Sequence, residues 1–275
     1  MSAASECFFP LVDTHAHLDD NRLHADIKAV LNRAQEAGVG QVISMGTTAA
    51  TSATAVELAQ VHRGVFAAVG IHPNDAAEVG RQDWLHIAEL VRSSGVVAVG
   101  ETGLDRYWNR TPFLEQQEWF DRHLALAHER DLPIVIHSRD CQADIIQQLE
   151  RQNRPIAGVM HAFTGTWDDA QAYLDLGLHL SFAGTVTFTN KSLDSLRAVA
   201  ARVPEDRLLV ETDSPYLSPH PCRGQMNEPA RVVLTATRLA EVRGLSFADL
   251  TRITTLNARS LFRLPADATL QPSAT

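Results

Sequence analysis

His15 and His17 stand in Leu11-Val12-Asp13-Thr14-His15-Ala16-His17-Leu18-Asp19, close to the start of an apolar run. Alternate side chains of an extended strand share a face, so this spacing predicts Asp13, His15 and His17 on one side and Val12, Thr14 and Ala16 on the other. Two imidazoles on one face at a strand end are well placed to hold a divalent cation. The pattern recurs downstream. Val96-Val97-Ala98-Val99-Gly100 closes on Glu101, Leu132-Pro133-Ile134-Val135-Ile136 on His137, Ile156-Ala157-Gly158-Val159-Met160 on His161, and Leu208-Leu209-Val210-Glu211-Thr212 on Asp213. Each is a short, largely apolar run, the signature of a parallel strand covered by helices, ending in a potential metal ligand.

Eight apolar runs read as strands, near residues 11–15, 39–45, 64–71, 96–101, 133–137, 156–161, 178–182 and 207–212. Amphipathic stretches at 26–37, 51–62, 82–93, 113–130, 143–152, 168–176, 192–201, 229–243 and 246–262 read as helices, with Gly38, Pro229 and Ser246 as stop, first-turn and N-cap residues. Strand followed by helix, eight times over, is the pattern of an α/β (β/α)₈ TIM barrel in a single domain. An open doubly wound sheet is the alternative, but its first strand would be followed by a Gly-rich phosphate loop, not by two histidines. The ligands come from strands one, four, five, six and eight, and a closed barrel brings those ends around one axis. The barrel is expected to span 1–264, with 265–275 a small, polar, loose tail.

The formal net charge of −9, from 24 Lys+Arg against 33 Asp+Glu, argues against coating nucleic acid through bulk positive charge. No apolar run is long enough to span a bilayer, and the N-terminus lacks the pattern of a signal peptide. Cys7, Cys141 and Cys222 have no paired spacing, which points to free thiols and a reducing, cytoplasmic setting.

In such a barrel the active site lies at the C-terminal ends of the strands. His15, His17, Glu101, His137, His161 and Asp213 would meet there, enough for two metals if one carboxylate bridges. A carbamylated lysine is excluded as the bridge because Lys28 falls in the first helix and Lys191 beyond strand seven, which leaves Glu101. Two cations roughly 3.5–4 Å apart would activate a water, with Asp213 as general base. Taken singly, His137 and His161 could be core histidines and Asp213 a turn cap. His72, in Gly70-Ile71-His72-Pro73, reaches the same rim and reads as a substrate contact or a support behind the ligands. His24, His62, His86, His123 and His128 read as surface residues, and His179 and His220 receive no role. Arg106, Arg139 and Arg223 each follow a strand end and could meet a phosphodiester. Tyr107, Trp108, Phe163, Trp167 and Tyr216 share the same loops and offer flat faces to a base or lids to the core.

These motifs resemble those of the TatD-type metal-dependent hydrolases and deoxyribonucleases, within the amidohydrolase-like barrels. The likeness is carried by the His15–His17 opening together with Gly70-Ile71-His72-Pro73, Gly100-Glu101-Thr102-Gly103-Leu104-Asp105, His137-Ser138-Arg139-Asp140, His161-Ala162-Phe163-Thr164-Gly165 and Glu211-Thr212-Asp213-Ser214-Pro215-Tyr216. It extends from about Leu11 to Phe262. It implies a two-metal phosphodiesterase (zinc, manganese or magnesium) acting on single-stranded or frayed DNA from the 3′ end, with the six ligands carried over complete. Ala16, Arg106 and Gln225 depart from the pattern; the last two bear on substrate contact, not on the metals. Hydrolysis of a small amide or ester on the same site is the alternative function, and a non-catalytic metal-binding protein is a third.

Overall fold

The structure is a computed structural model that describes residues 9–271; Cys7 and residues 272–275 of the expected tail lie outside them. Eight strands form one parallel sheet in sequence order: β1 (Leu11–Ala16), β2 (Val39–Met45), β3 (Val65–Val69), β4 (Val96–Asp105), β5 (Ile134–Arg139), β6 (Gly158–Met160), β7 (His179–Phe182) and β8 (Leu208–Val210). Around it lie α1 (Asn21–His24), α2 (Ile27–Glu36), α3 (Ala49–Val61), α4 (Arg81–Leu90), α5 (Phe113–Arg130), α6 (Gln142–Glu150), α7 (Trp167–Asp175), α8 (Asp194–Arg202), α9 (Val232–Arg243) and α10 (Phe247–Phe262). This is the expected (β/α)₈ barrel. The short α1 was not anticipated, and β4 runs four residues beyond its expected end.

Strand alternation divides the apolar residues into two sets. Leu11, Val42, Val69, Val99, Ile136 and Val210 face the helices and form one large cluster with them. Val12, Ile43, Ala68, Ala98, Val135, Val159 and Leu209 form a second cluster, which Phe262 and Leu264 join. The chain after α10 then crosses the sheet's lower end. Gln41 Nε2 donates to the carbonyls of Pro265 and Ala268, and the Leu270 amide donates to Gly40 O at 2.6 Å. A Cβ on Gly40 would sit 2.6 Å from Pro10, so the packing there leaves no room for a side chain.

The β8–β1 seam has no regular ladder. It is closed by a bridge between Ala16 and Ser214 and by individual bonds: His17 N–H to Ser214 O at 2.8 Å, Asp213 N–H to His15 O at 2.9 Å and Thr14 Oγ1 to Val210 O at 2.9 Å. Asp13 adds two more, accepting from the Thr212 amide (2.8 Å) and hydroxyl (2.6 Å). The expected common face of Asp13, His15 and His17 therefore breaks down. β1 loses regular register after Asp13, and that carboxylate is committed to the seam.

His123, read from sequence as a surface residue, is fully buried. Its Nδ1–H donates to Trp119 O at 2.7 Å, and its Nε2 accepts the Ile71 amide at 3.0 Å, so a neutral ring fastens α5 to the end of β3. Burial is the main cause that lowers its pKa from 6.5 to about 4. A folded value below the unfolded one means that the unfolded chain binds more protons between those two pH values, so stability is lost as pH falls through that window. The loss attributable to this ring is at most about 3 kcal/mol. In chemical denaturation, the stability advantage of the native chain over His123→Gln is expected to be greatest above pH 6.5 and to shrink steadily toward pH 4.

Candidate metal centre and active site

Six of the eight strands deliver a side chain to one mouth. His15 lies in β1 and His17 one residue beyond it, His72 follows β3, Glu101 and Asp105 lie in β4, His137 in β5, His161 directly after β6, and Asp213 after β8. The six sequence-predicted ligands therefore converge. Glu101 is the hub. Its Oε2 lies 3.3 Å from His15 Nε2 and 3.6 Å from His17 Nε2. Its Oε1 lies 3.0 Å from both His137 Nδ1 and His161 Nε2, and 3.6 Å from His72 Nε2. Asp213 Oδ1 joins the first group, 3.6 Å from His15 Nε2 and 3.4 Å from His17 Nε2. Three ligand triples result: His15–Glu101–His161, His15–His17–Asp213 and His72–Glu101–His137.

The electrostatics of this set favour a cation. No Lys or Arg side chain pairs with Glu101 or Asp213 among the described residues, so their charge is balanced only by imidazoles. Burial pushes the Glu101 carboxyl up, but His161, His15 and His72 outweigh it and hold it well below the ordinary carboxylate range. Burial likewise pushes Asp213 up and is outweighed by His17, His15 and His161. Burial lowers His17 and His161, yet the Asp213 hydrogen bond and Glu101 lift His17 to about 9, and Glu101 lifts His161 well above its usual value. His72 is the opposite case: burial, then His137, take it down to about 3. The neighbouring carboxylates thus favour positive charge at His17, His137 and His161, within a donor set of nitrogens and carboxylate oxygens, the set that divalent cations prefer. The residues fit such ions.

Behind these groups stand residues that sequence reasoning missed. Asp105 is buried; its Oδ2 lies 3.3 Å from His137 Nε2 and accepts from Asn74 Nδ2 at 2.9 Å, while its Oδ1 accepts the amides of Tyr107 (2.8 Å) and Trp108 (3.0 Å). The signal was present: Glu101, Gly103 and Asp105 alternate along one strand, and only the expectation that β4 stops at Glu101 hid it. Gly103 is required there, with φ +142 and backbone packed directly on His137. Glu211 Oε1 accepts the Ala162 amide at 2.7 Å and lies 3.4 Å from His161 Nδ1, the ring edge away from Glu101. Glu211 thus stands behind the His161 ring as a charge partner, without a hydrogen bond to Nδ1.

A cleft of 660 Å³ opens over the centre, lined by residues that include His17, His72, Asn74, Glu101, Trp108, Arg110, His137, Arg139, Asp213 and Tyr216. Of the expected substrate contacts, His72, Arg139 and Tyr216 line it. Arg106 does not, because it forms a two-pronged pair with Asp144 (2.8 Å each) over the Phe113 ring. Arg223 does not either, since its guanidinium stacks on Phe188 at 3.5 Å. Phe163 is buried against Tyr173 and Phe182, and Trp167 lies under Arg202, so neither faces the cleft.

A family pattern described as TatD related DNase matches residues 12–263. The chain is 39% identical over 255 residues to the uncharacterized metal-dependent hydrolase YabD of Bacillus subtilis, covering 92% of this chain and 99% of that one. It is also 39% identical over 263 residues to the uncharacterized metal-dependent hydrolase YcfH of Escherichia coli, covering 93% and 97%. Among solved structures it resembles YjjV, a TatD homologue from Escherichia coli, with a TM-score of 0.88, 32% identity and coverage of 94% and 100%.

Replacing Asp13 tests the seam that aligns this centre. Asp13→Ala leaves the Thr212 amide and hydroxyl buried without their acceptor and is expected to cost about 3 kcal/mol in urea denaturation. Asp13→Asn retains one acceptor oxygen and is expected to cost about 1 kcal/mol.

Proposed function

The chain belongs to the family of TatD-related DNases and is a metal-dependent hydrolase, and from that premise we propose that it hydrolyses DNA phosphodiester bonds at single-stranded or frayed 3′ ends. The observation that carries this reading is the division of Glu101, one oxygen turned to His15 and His17 and the other to His137 and His161. In the proposed assignment, His15, His17, Glu101, His137, His161 and Asp213 would hold two divalent ions (zinc, manganese or magnesium), Glu101 offering one oxygen to each pair of histidines. Bound there, such ions polarise a phosphoryl oxygen and lower the pKa of water.

The chain's own groups do the rest. Asp213 sits in a left-handed backbone turn (φ +54), its amide tied to His15 O, so its carboxylate is aimed at the same point as His15 and His17. It serves as the base that takes the proton of the attacking water. The new P–O bond forms as the bond to the leaving oxygen breaks, and that oxygen takes up the proton that Asp213 gives back through solvent. Arg139 and Tyr216 bind the strand beside the centre, and His72 supports it. The support for DNA over a small amide or ester is the cleft itself: unpaired guanidinium groups and flat aromatic faces suit a polyanion that carries bases.

The test is to strip the protein with chelator, reload it separately with manganese, magnesium and zinc, and offer 3′-labelled single-stranded DNA beside a panel of cyclic amides and esters. Release of mononucleotides is expected, with bound metal counted by elemental analysis. Glu101→Ala is expected to lose activity by at least ~10³-fold and Asp213→Asn by ~10²–10⁴-fold. Turnover of an amide or ester alone would overturn the proposal. A second comparison separates the arginines: Arg139→Gln is expected to raise KM for DNA by about tenfold, whereas Arg106→Gln, whose partner is Asp144, should leave it unchanged.

A further inference from the structure

We propose that Trp108, with Tyr107, Arg110 and Arg139, forms a subsite that stacks one nucleobase and grips the adjoining phosphate next to the reacting bond. This rests on the reading of DNA as substrate and names how a neighbouring nucleotide is held.

The loop after β4 holds two large aromatics out in the open. Tyr107 is 53% exposed and Trp108 45%, and neither belongs to the apolar clusters on the two faces of the sheet. They are therefore not lids over the core. They are nonetheless ordered against one another and against cations. The two rings meet edge to face at 4.9 Å and 85°. Arg139 lies over the Tyr107 ring at 3.7 Å and near Trp108 at 5.9 Å, while Arg110 lies 5.5 Å from the Trp108 ring. A flat guanidinium over an aromatic face keeps its outward N–H groups free to meet a phosphate.

Charge pairing singles out the same residues. Among the described residues, Arg110 and Arg139 are the only Arg or Lys side chains that line the cleft. Neither has a carboxylate within ion-pair distance among the described residues, whereas the nearby Arg106 and Arg22 are neutralised by Asp144 and Asp20. Two unneutralised cations beside two exposed rings are a phosphate site next to a base platform.

Asp105 fixes where that platform lies. One of its oxygens holds the Tyr107 and Trp108 amides and the other meets His137, so a single buried carboxylate joins the loop to the metal centre. The rings therefore keep a constant offset from the reacting bond, as a subsite for a neighbouring nucleotide needs.

The test compares the native protein with Trp108→Leu, which keeps apolar bulk but removes the stacking face, and with Arg110→Gln. Binding is read from the fluorescence of phosphorothioate-linked oligodeoxynucleotides that carry 2-aminopurine at the terminal or penultimate position, with manganese present. Cleavage is read from KM and kcat on the corresponding unmodified strands and on strands with a base-free sugar at the same position. Quenching of 2-aminopurine by the native protein is expected at one position and is expected to be lost in Trp108→Leu. KM on base-bearing strands should rise on the order of tenfold in that variant, and the native preference for base-bearing over base-free strands should vanish. Arg110→Gln should raise KM on both strand types alike. Quenching and strand preference that are the same in Trp108→Leu as in the native protein would overturn the subsite, even if DNA is cleaved. Trp108-dependent quenching without any DNA cleavage would overturn the proposed reaction and leave the subsite standing.

Discussion

The position of β8 relative to β1 governs the rest of the molecule. Seven of the eight strand junctions are parallel ladders, three of them with register shifts, but the last is assembled from single contacts: one bridge, a few backbone bonds and the Asp13–Thr212 pair. The residues at this seam are neighbours of candidate ligands. His15 and His17 flank Ala16, and Asp213 lies between Thr212 and Ser214. Whatever draws the two edges together also sets the separation of His15, His17 and Asp213. A barrel that closed elsewhere would leave the first ligand pair without its carboxylate.

The second organising force is concentrated negative charge. Glu101, Asp105 and Glu211 are buried around the mouth beside Asp13, whose carboxyl burial pushes up to about 8, and no lysine or arginine pairs with any of the four among the described residues. Isolated buried carboxylates of this number would be costly. Each is instead given a task. Asp13 accepts from the seam, Asp105 and Glu211 meet the outer edges of His137 and His161, and Glu101 faces inward to a ring of imidazoles. The ordering from outer carboxylate to imidazole to inner carboxylate explains why so many titratable groups can share one small space.

Much of this was legible in the chain because strand periodicity and ligand type coincide: an apolar run ending in His, Glu or Asp states both an element and its chemistry. The lysine positions pointed to Glu101 as the carboxylate at the middle of the cluster, and its two oxygens do face different pairs of histidines. The parts that escaped are those that depend on partners far along the chain. Arg106 looks like a substrate contact until Asp144 on α6 is seen to claim it. Phe163 looks like a loop aromatic until Phe182 and Tyr173 close over it. His123 sits on a helix whose pattern cannot show that its ring faces the end of β3. Asp105 was hidden by a boundary error, since the strand does not end where its apolar run does; the alternation continues through Gly103, where a side chain would collide with His137.

The lower end of the barrel is sealed. Phe262 and Leu264 join the apolar set inside the strands, and the segment from Pro265 to Leu270 is fastened across Gly40 and Gln41. Traffic is therefore confined to a single doorway. Whatever ligand the mouth admits must back out the way it came.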